Sequence, residues 1–105
     1  MRFEWDELTG PFTGASGDKN EANQKKHGVS FETAKLVFDD PDCLLVPDRI
    51  EAGEQRRHAI GMTFNTRLIL TVVHNQRTEG SEEIVRIISA RRATRREEND
   101  YAESL

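Results

Sequence analysis

The spacing of apolar residues changes after Pro41, and this change restricts the possible folds more than any other feature of the chain. Before it, Phe31, Ala34 and the run 36–38 follow Ser30 at roughly helical intervals, and serine commonly caps a helix N-terminus. After it, apolar and polar residues alternate, as they do in strands with one buried face. Helices followed by a series of strands predict an α+β domain.

The predicted strands are separated by polar turns, which favours an antiparallel sheet. The segment 68–73 is rich in β-branched residues and too short for a buried helix. We expect strands at residues 3–6, 44–46, 57–63, 67–74 and 83–91. We expect polar loops at residues 47–53 and 75–82.

Three helices are predicted around this sheet. Asp18 is a candidate cap for a helix over residues 19–26, and Gly28 is placed to end it in a left-handed conformation. The second helix begins after Ser30, and we expect both to pack on one face of the sheet. Thr94 and Glu97 form a capping-box pattern that opens a C-terminal helix, which we expect to be peripheral because it carries little apolar surface.

A chain of 105 residues has room for one domain, 1–105, with a modest core. The net charge of −4 argues against nucleic acid, but residues 55–105 hold 9 basic and 7 acidic side chains. Five arginines and no acid lie between positions 84 and 96, and a local field of this kind attracts phosphates. An ordinary solvated face would look the same, so composition leaves both interpretations open.

The single cysteine, Cys43, allows no intrachain disulfide and lies in an apolar stretch, which predicts a small core residue and not a nucleophile. No apolar run approaches the roughly 18 residues that cross a membrane, and the acidic, aromatic N-terminus is unlike a secretory signal. We therefore expect a cytoplasmic protein without a membrane partner.

Strand alternation suggests where chemistry could occur. The even positions 68–74, which end at His74, share one face, and alternation groups Ile84, Arg86, Ile88 and Ala90 on one face of the last strand. An arginine between isoleucines needs a partner or must reach solvent. Arg57 and His58 point to opposite faces, and the sequence does not decide which of them shares a face with Arg86.

Histidine, arginine and lysine suit phosphodiester cleavage in RNA without a cofactor. The 2′-hydroxyl is the nucleophile, so the protein needs a base, an acid and cations for the transition-state charge. Histidine titrates near neutrality, and the guanidinium matches phosphate oxygens. Each candidate has an alternative: His27, Lys25 and Lys26 could interact with a helix dipole, and His58 and His74 could be surface residues. Metal-ligand spacing is lacking around the three histidines, so no metal is expected.

Several segments resemble the BrnT toxin family. They are Phe3–Asp6, Lys26–Glu32 (KHGVSFE), Phe38–Pro41, Arg57–Gly61 and Arg86–Ala93 (RIISARRA). The resemblance implies a metal-free ribonuclease toxin with a RelE-like fold. It also implies a BrnA-like antitoxin partner, whose complex with the toxin binds operator DNA and represses transcription.

Carried onto this chain, the resemblance implies a catalytic set of Lys26, Arg57, His74 and Arg86. We interpret His74 as general base or acid, Lys26 as its counterpart or a phosphate cation, and the two arginines as phosphate clamps. Additional RNA contacts are assigned to His27, His58, Arg91 and Arg92.

Residues 8–17 depart from the family pattern and look like an insertion, which could alter RNA approach or antitoxin fit. The alternative function is a non-catalytic module that binds RNA or protein with the same fold. A DNA-binding regulator is disfavoured, because no helix-turn-helix pattern is present.

Overall fold

The computed structural model describes residues 1–5 and 19–105, which form a five-stranded sheet, three α-helices and one 3-10 helix. The elements are β1 (Arg2–Glu4), α1 (Lys19–His27), α2 (Phe31–Ala34), the 3-10 helix (Lys35–Asp39), β2 (Leu44–Glu51), β3 (Glu54–Met62), β4 (Ile69–Glu79), β5 (Glu82–Arg92) and α3 (Arg95–Glu103). The predicted α+β class is confirmed. The proposed Asp18 cap and the insertion at 8–17 lie outside the described residues.

Local sequence signals explain the first helices. Gly28 adopts a φ of +72° directly after α1, as a left-handed helix end requires. The Ser30 hydroxyl accepts a hydrogen bond from the Thr33 backbone N–H at 3.0 Å, so Ser30 caps α2 as predicted. Phe31 and Val37 are fully buried, because α2 continues into the 3-10 helix and keeps its apolar residues on one side.

The strand order is β1-β5-β4-β3-β2, and the sheet is mixed. Strands β2 to β5 form an antiparallel series, but β1 pairs parallel with β5. The prediction of a purely antiparallel sheet is therefore wrong. Nearly the whole chain separates β1 from β5, so no hairpin forces them to be antiparallel, and long connections allow parallel pairing.

Both predicted loops are largely strand. Residues 75–79 extend β4, and the chain turns only near Gly80, whose φ is +61°. Strand β2 continues through Pro47 to Glu51 and turns at Ala52 and Gly53, which both have positive φ. Proline is tolerated there because β2 is an edge strand with an irregular register after Pro47.

The core lies between the apolar residues of α2 and the 3-10 helix on one side and one face of strands β3 to β5 on the other. Ala59, Val72 and Ala90 are paired across these three strands and are fully buried. Phe31 and Val37 belong to the same cluster. This face of the sheet, which Ala59, Val72 and Ala90 define, is called the core face below.

A bulge in β5 changes which of its residues share a face. Val73 pairs with Ser89, whereas His74 pairs with Ile87, so Ile88 is skipped in the register. Ala90 therefore lies on the core face with Ile87, and Arg86 lies on the opposite face. The predicted common face for 84, 86, 88 and 90 is wrong because the alternation is interrupted at this bulge.

Helix α1 satisfies the β5 backbone next to this bulge. Strand β1 covers only residues 84–86 of β5. The Asn23 side chain donates to the Ala90 carbonyl at 2.7 Å and accepts from the Ala90 N–H at 3.1 Å. The amide of Asn23 thus takes the hydrogen bonds that a neighbouring strand would otherwise make.

Helix α3 has the predicted capping box between Thr94 and Glu97. It is not peripheral, because Tyr101 is buried and its hydroxyl donates to Asp40 Oδ2 at 2.5 Å. The same carboxylate oxygen accepts the Met62 N–H at 2.9 Å. Asp40 therefore joins α3 to the 3-10 helix and to β3. None of the helices within the described residues is long and apolar enough to cross a membrane.

Candidate active site

A cleft opens where strands β3, β4 and β5 extend beyond the core. Two adjoining cavities of about 430 and 290 Å³ lie there, and Arg57, Gln76 and Arg77 line both. We call this region the Arg57 cleft. Its other lining residues are Leu45, Gly53, Glu54, Gln55, Asn75, Thr78 and Glu83.

The cleft exists because the apolar residues of the core face end before the strands do. Val72 and His74 are buried, whereas the next residues on this face of β4, Gln76 and Thr78, are progressively more exposed. An antiparallel sheet can keep such a face in contact with solvent. Polar side chains are therefore presented on rigid strands at the margin of the core.

Arg57 is the central cation of the cleft. It is the direct register partner of His74, so both side chains lie on the core face. Arg57 is half-buried and has no ion-pair partner within residues 1–5 and 19–105. Its guanidinium is therefore available to an anion.

His74 lies at the base of the cleft and is completely buried. Its ring packs edge-on against Phe38, with centroids 5.0 Å apart. Burial lowers the pKa of His74, and the nearby Arg57 and His58 lower it further, against the opposing effect of hydrogen bonds to Val72 and Gln76. The imidazole is thus held neutral, and the alternative that His74 is a surface residue is wrong.

A chain of hydrogen bonds leads from this buried ring to the cleft. His74 Nε2 lies 3.4 Å from Gln76 Oε1, and Gln76 Nε2 lies 3.3 Å from Glu83 Oε1. Neither Gln76 nor Glu83 was predicted as a site residue. Gln76 was assigned to a loop because the predicted strand ended at His74, and Glu83 began a predicted strand but only histidine, arginine and lysine were considered for catalysis. Continuing the even-numbered face of β4 by one more position would have found Gln76.

Arg77 adds a second positive charge at the margin of the cleft. Its Nη1 lies 2.5 Å from Glu4 Oε1, and its Nε lies 3.1 Å from Glu79 Oε1. The hydrogen bond to Glu4, followed by the one to Glu79, raises the pKa of Arg77. Arg77 is therefore oriented by two carboxylates, in contrast to Arg57.

Arg86 is not in the cleft. It is in register with Asn75 on one side and Glu4 on the other, on the face opposite His74. Its charge is among the influences that lower the pKa of Glu4, behind the hydrogen bond and charge of Arg77. The structure therefore does not bring Arg86 and His74 together on one surface.

Lys26 and His27 line a separate cavity of about 210 Å³ beside the β5 bulge, together with Ile88 and Ser89. Both basic residues lie in the last turn of α1, where a positive charge also interacts favourably with the negative end of the helix dipole. Lys26 is exposed. It is therefore placed to meet a ligand at this edge and does not line the Arg57 cleft.

The remaining predicted RNA contacts lie near the start of α3. Arg91 forms a two-pronged ion pair with Glu97, at 2.6 and 3.1 Å. His58 lies between Asp48 Oδ2 at 3.3 Å and Glu97 Oε2 at 3.8 Å. Burial acts to raise the pKa of Glu97. The hydrogen bonds from the Arg91 side chain and the Thr94 backbone outweigh this effect and lower the pKa to about 2. Arg92 is exposed.

Cys43 is a small core residue, as predicted. It is partly buried and packs against the core cluster. Burial raises the pKa of its thiol to about 11, which disfavours the thiolate needed for nucleophilic chemistry. No group of three or more histidine, cysteine, aspartate or glutamate side chains in the described part of the chain could hold a metal ion.

The fold and the cleft define a class: a small α+β protein whose mixed sheet presents, on an open face, a guanidinium that has no ion-pair partner among the described residues. The family model for the ribonuclease toxin BrnT of type II toxin–antitoxin systems matches residues 16–97. Because this match covers most of the chain, the protein belongs to that family. No individual curated protein matches it.

Membership confirms the resemblance found in the sequence, and it implies an antitoxin partner and an RNA target. The matched region begins at residue 16 and so excludes β1 and nearly all of the segment 8–17.

Proposed function

We propose that this protein is a metal-independent endoribonuclease toxin that cleaves RNA in the Arg57 cleft by attack of the 2′-hydroxyl on the adjacent phosphate. The observation that carries the proposal is the half-buried guanidinium of Arg57 at the open end of the sheet, beside the hydrogen-bonded chain from His74 to Glu83. Within residues 1–5 and 19–105 this guanidinium has no ion-pair partner. RNA supplies its own nucleophile, so the reaction requires charge stabilisation and proton transfer only.

Arg57 binds the non-bridging oxygens of the scissile phosphate. A guanidinium matches two such oxygens and stays protonated, so its attraction grows as negative charge accumulates on the phosphorane-like transition state. Arg77 adds positive charge at the margin but remains bound to Glu4 and Glu79. In this mechanism Arg57 stabilises the charge of the transition state, and Arg77 helps to attract the negatively charged substrate.

His74 acts through Gln76. A fully buried imidazole has no room for the substrate, so it does not transfer a proton directly. With Nε2 protonated, the ring donates to Gln76 Oε1 and so fixes which end of the amide faces the cleft. His74 is a positioning residue in this mechanism.

Residues outside the cleft contact the flanking RNA. Lys26 and His27 at one edge of the sheet, Arg86 on the opposite face and the exposed Arg92 are proposed to bind backbone phosphates. Arg91 and His58 reach RNA only if their carboxylate partners release them. These contacts support affinity more than cleavage.

The biological setting follows from the family. We propose that RNA cleavage in the cytoplasm inhibits translation and growth, and that a BrnA-like antitoxin neutralises the protein. The complex of both would bind operator DNA and repress its own transcription.

The test compares Arg57→Ala with Arg56→Ala in a purified cleavage assay. Arg56 is the adjacent residue on the opposite face and pairs with Glu51 at 2.5 Å, so it controls for loss of one arginine from β3. Arg57→Ala is expected to reduce the cleavage rate about 10²- to 10³-fold, as does removal of one transition-state donor. Arg56→Ala should cleave at nearly the wild-type rate. Equal rates for both variants would refute the proposed site.

A non-catalytic RNA-binding module is the second candidate. The observation in its favour is that Lys26 and Arg86 do not line the Arg57 cleft. Fluorescence anisotropy and cleavage of the same labelled RNA distinguish the two functions. Binding with intact RNA, and harmless induced expression in a host without the antitoxin, would favour the module. Cleavage that EDTA does not inhibit favours the metal-independent enzyme.

A further inference from the structure

Glu83 is the carboxylate at the open end of the hydrogen-bonded chain. It lies in register with Thr78, so it shares the core face with Gln76 and Arg57 and lines the larger cavity. The Glu83 side chain is exposed, and it accepts a hydrogen bond from the Gln76 amide at 3.3 Å. Its position therefore combines access to substrate with a fixed neighbour.

The other carboxylates near the cleft have different partners. Glu4 and Glu79 pair with Arg77, and Glu82 lies 3.7 Å from Arg2. Glu54 accepts a hydrogen bond from Asn75 and lines only the smaller cavity. Glu83 is the carboxylate lining the larger cavity that has a neutral hydrogen-bond donor and no cationic partner within the described part of the chain.

We infer that Glu83 is the general base of the Arg57 cleft, a role that rests on the proposed ribonuclease function. The Glu83 carboxylate takes the proton of the 2′-hydroxyl as the bond from the 2′-oxygen to phosphorus forms. The bond from phosphorus to the 5′-oxygen breaks, leaving a 2′,3′-cyclic phosphate. The leaving 5′-oxygen takes a proton from water at the open mouth of the cleft. The resulting hydroxide removes the proton from Glu83 and restores the carboxylate.

The chain behind Glu83 explains why a histidine is buried here. Burial in contact with Phe38 disfavours the charged ring of His74, and a neutral ring has a single N–H. In the proposed mechanism this N–H lies on Nε2, which donates to Gln76 Oε1, and not on Nδ1, which faces the Val72 carbonyl. The amide of Gln76 must then present its NH₂ group to the cleft, where it holds the carboxylate of Glu83. A neutral donor orients the base without neutralising it, whereas a cationic partner would weaken it as a base.

The experiment compares Glu83→Gln with Glu82→Gln in the full-length protein. Both changes replace an exposed carboxylate by an amide in adjacent residues of β5, but Glu82 does not line the cleft. Single-turnover cleavage of labelled RNA is measured from pH 4 to 8. Binding is measured with a 2′-O-methyl RNA, which lacks the nucleophile.

Glu83→Gln is expected to slow cleavage about 10²- to 10⁴-fold, the usual contribution of a general base. Its affinity for 2′-O-methyl RNA should be unchanged or higher, because a negative charge is removed. A general base contributes to the pH dependence of the cleavage rate, so the pH–rate profiles of wild type and Glu83→Gln should differ. Glu82→Gln should retain wild-type cleavage and its pH profile.

Two outcomes would overturn the inference in distinguishable ways. If Glu83→Gln cleaves within about threefold of Glu82→Gln while Arg57→Ala is inactive, the ribonuclease proposal stands and Glu83 is not the base. If wild-type protein binds RNA and leaves it intact, the ribonuclease proposal fails, and the role of Glu83 fails with it. Circular dichroism of every variant establishes that lost activity does not reflect unfolding.

Discussion

The role proposed for the imidazole of His74 requires no contact with the substrate. The ring is fully buried, yet it lies directly across the β3–β4 ladder from Arg57. Protonation would place a second positive charge beside that guanidinium, on a ring that solvent does not reach. The neutral ring avoids this cost and keeps one N–H, which the proposed mechanism assigns to Gln76 and not to the Val72 carbonyl.

His74 is therefore expected to titrate with a midpoint below 6.5, because burial and the charges of Arg57 and His58 disfavour its protonated form. Since the folded-state pKa is lower than the unfolded-state pKa, the contribution of His74 to stability is complete above pH 6.5. It is lost as the pH falls through the folded-state value.

The Cε1–H resonance of His74, followed by NMR over pH 4 to 8, measures this midpoint. Assignment by comparison with His74→Gln separates it from the resonances of His27 and His58. A midpoint at or above 6.5 would contradict the neutral, buried assignment.

Single residues also indicate how far the sequence alone could predict the site. Alternation correctly placed His74 on the face of Leu70 and Val72, because the extra residue of the bulge lies in β5 and the pairing of β4 with β3 has no slip. It misplaced Arg86, because the bulge at Ile88 reverses the alternation and leaves no recognisable signal in apolar spacing. Arg57 was predicted through the family resemblance, since its strand could have presented either face.

At the level of whole elements, strand ends were harder to predict than strand centres. Residues 75–79 and 47–51 are polar because both faces of the strand lie beyond the core there, and this composition resembles that of a loop. Backbone pairing with the adjacent strand continues regardless of side-chain polarity. Gln76 was missed for this reason.

Close packing between the 3-10 helix and β3 depends on Gly61. A Cβ atom added at Gly61 would lie 2.9 Å from Val37 Cγ1 and 3.2 Å from the Val37 carbonyl oxygen. Val37 is fully buried, and its backbone cannot move away from the added methyl group without disturbing the 3-10 helix. Gly61→Ala is therefore expected to lower the free energy of unfolding by about 1–3 kcal/mol.

Urea denaturation followed by circular dichroism measures this change. Gly80→Asn is the control, because Gly80 has open space and a left-handed φ of +61° that asparagine tolerates. If Gly61→Ala were as stable as wild type, the proposed close contact between the 3-10 helix and β3 would be wrong.

The hydrogen bond from Tyr101 to Asp40 is one of the side-chain contacts that join helix α3 to the rest of the fold. Tyr101→Phe removes the hydroxyl that donates to Asp40 Oδ2 and leaves this mostly buried carboxylate with its backbone donors only. Because hydrogen bonds to charged groups contribute more than neutral ones, we expect a loss of about 1.5–3 kcal/mol in the free energy of unfolding.

Thermal and urea unfolding of Tyr101→Phe provide the measurement. Thr94→Ala provides a comparison, because it weakens the same helix at its cap by about 1 kcal/mol without altering Asp40. Unchanged stability in Tyr101→Phe would show that Asp40 does not anchor α3.

Across the whole molecule, stability and the proposed chemistry are separated along the strands. The central part of the sheet carries the buried residues that pack with the 3-10 helix, whereas Arg57, Gln76 and Glu83 lie at partly or fully exposed positions beyond it. Substitutions in the Arg57 cleft should therefore change activity with little loss of stability.

The sequence predicted the α+β class because helix and strand periods are local. It could not predict this separation of the core from the cleft, which depends on the register between strands.

The buried Asp40 and the partly buried Glu97 make the stability of the whole domain sensitive to acid. For both Asp40 and Glu97, desolvation acts to raise the pKa, but hydrogen bonds outweigh it and the pKa is lowered, to about 2 for Glu97. A carboxylate with a folded-state pKa below its unfolded value stabilises the fold above the unfolded value, near 4. This stabilisation is lost as the pH falls through the folded-state pKa.

We therefore expect the free energy of unfolding to decrease steadily between about pH 5 and pH 2, where the unfolded chain binds protons that the folded chain does not. Glu97→Gln removes one such group and its ion pair with Arg91, so it should be less stable at pH 7 and lose less stability on acidification. Glu98→Gln, an exposed neighbour in the same helical turn, should keep the wild-type pH dependence. Urea denaturation at half-unit pH steps measures all three proteins. Parallel curves for wild type and Glu97→Gln would mean that Glu97 does not couple protonation to folding, and that the acid sensitivity arises from Asp40 and the other carboxylates.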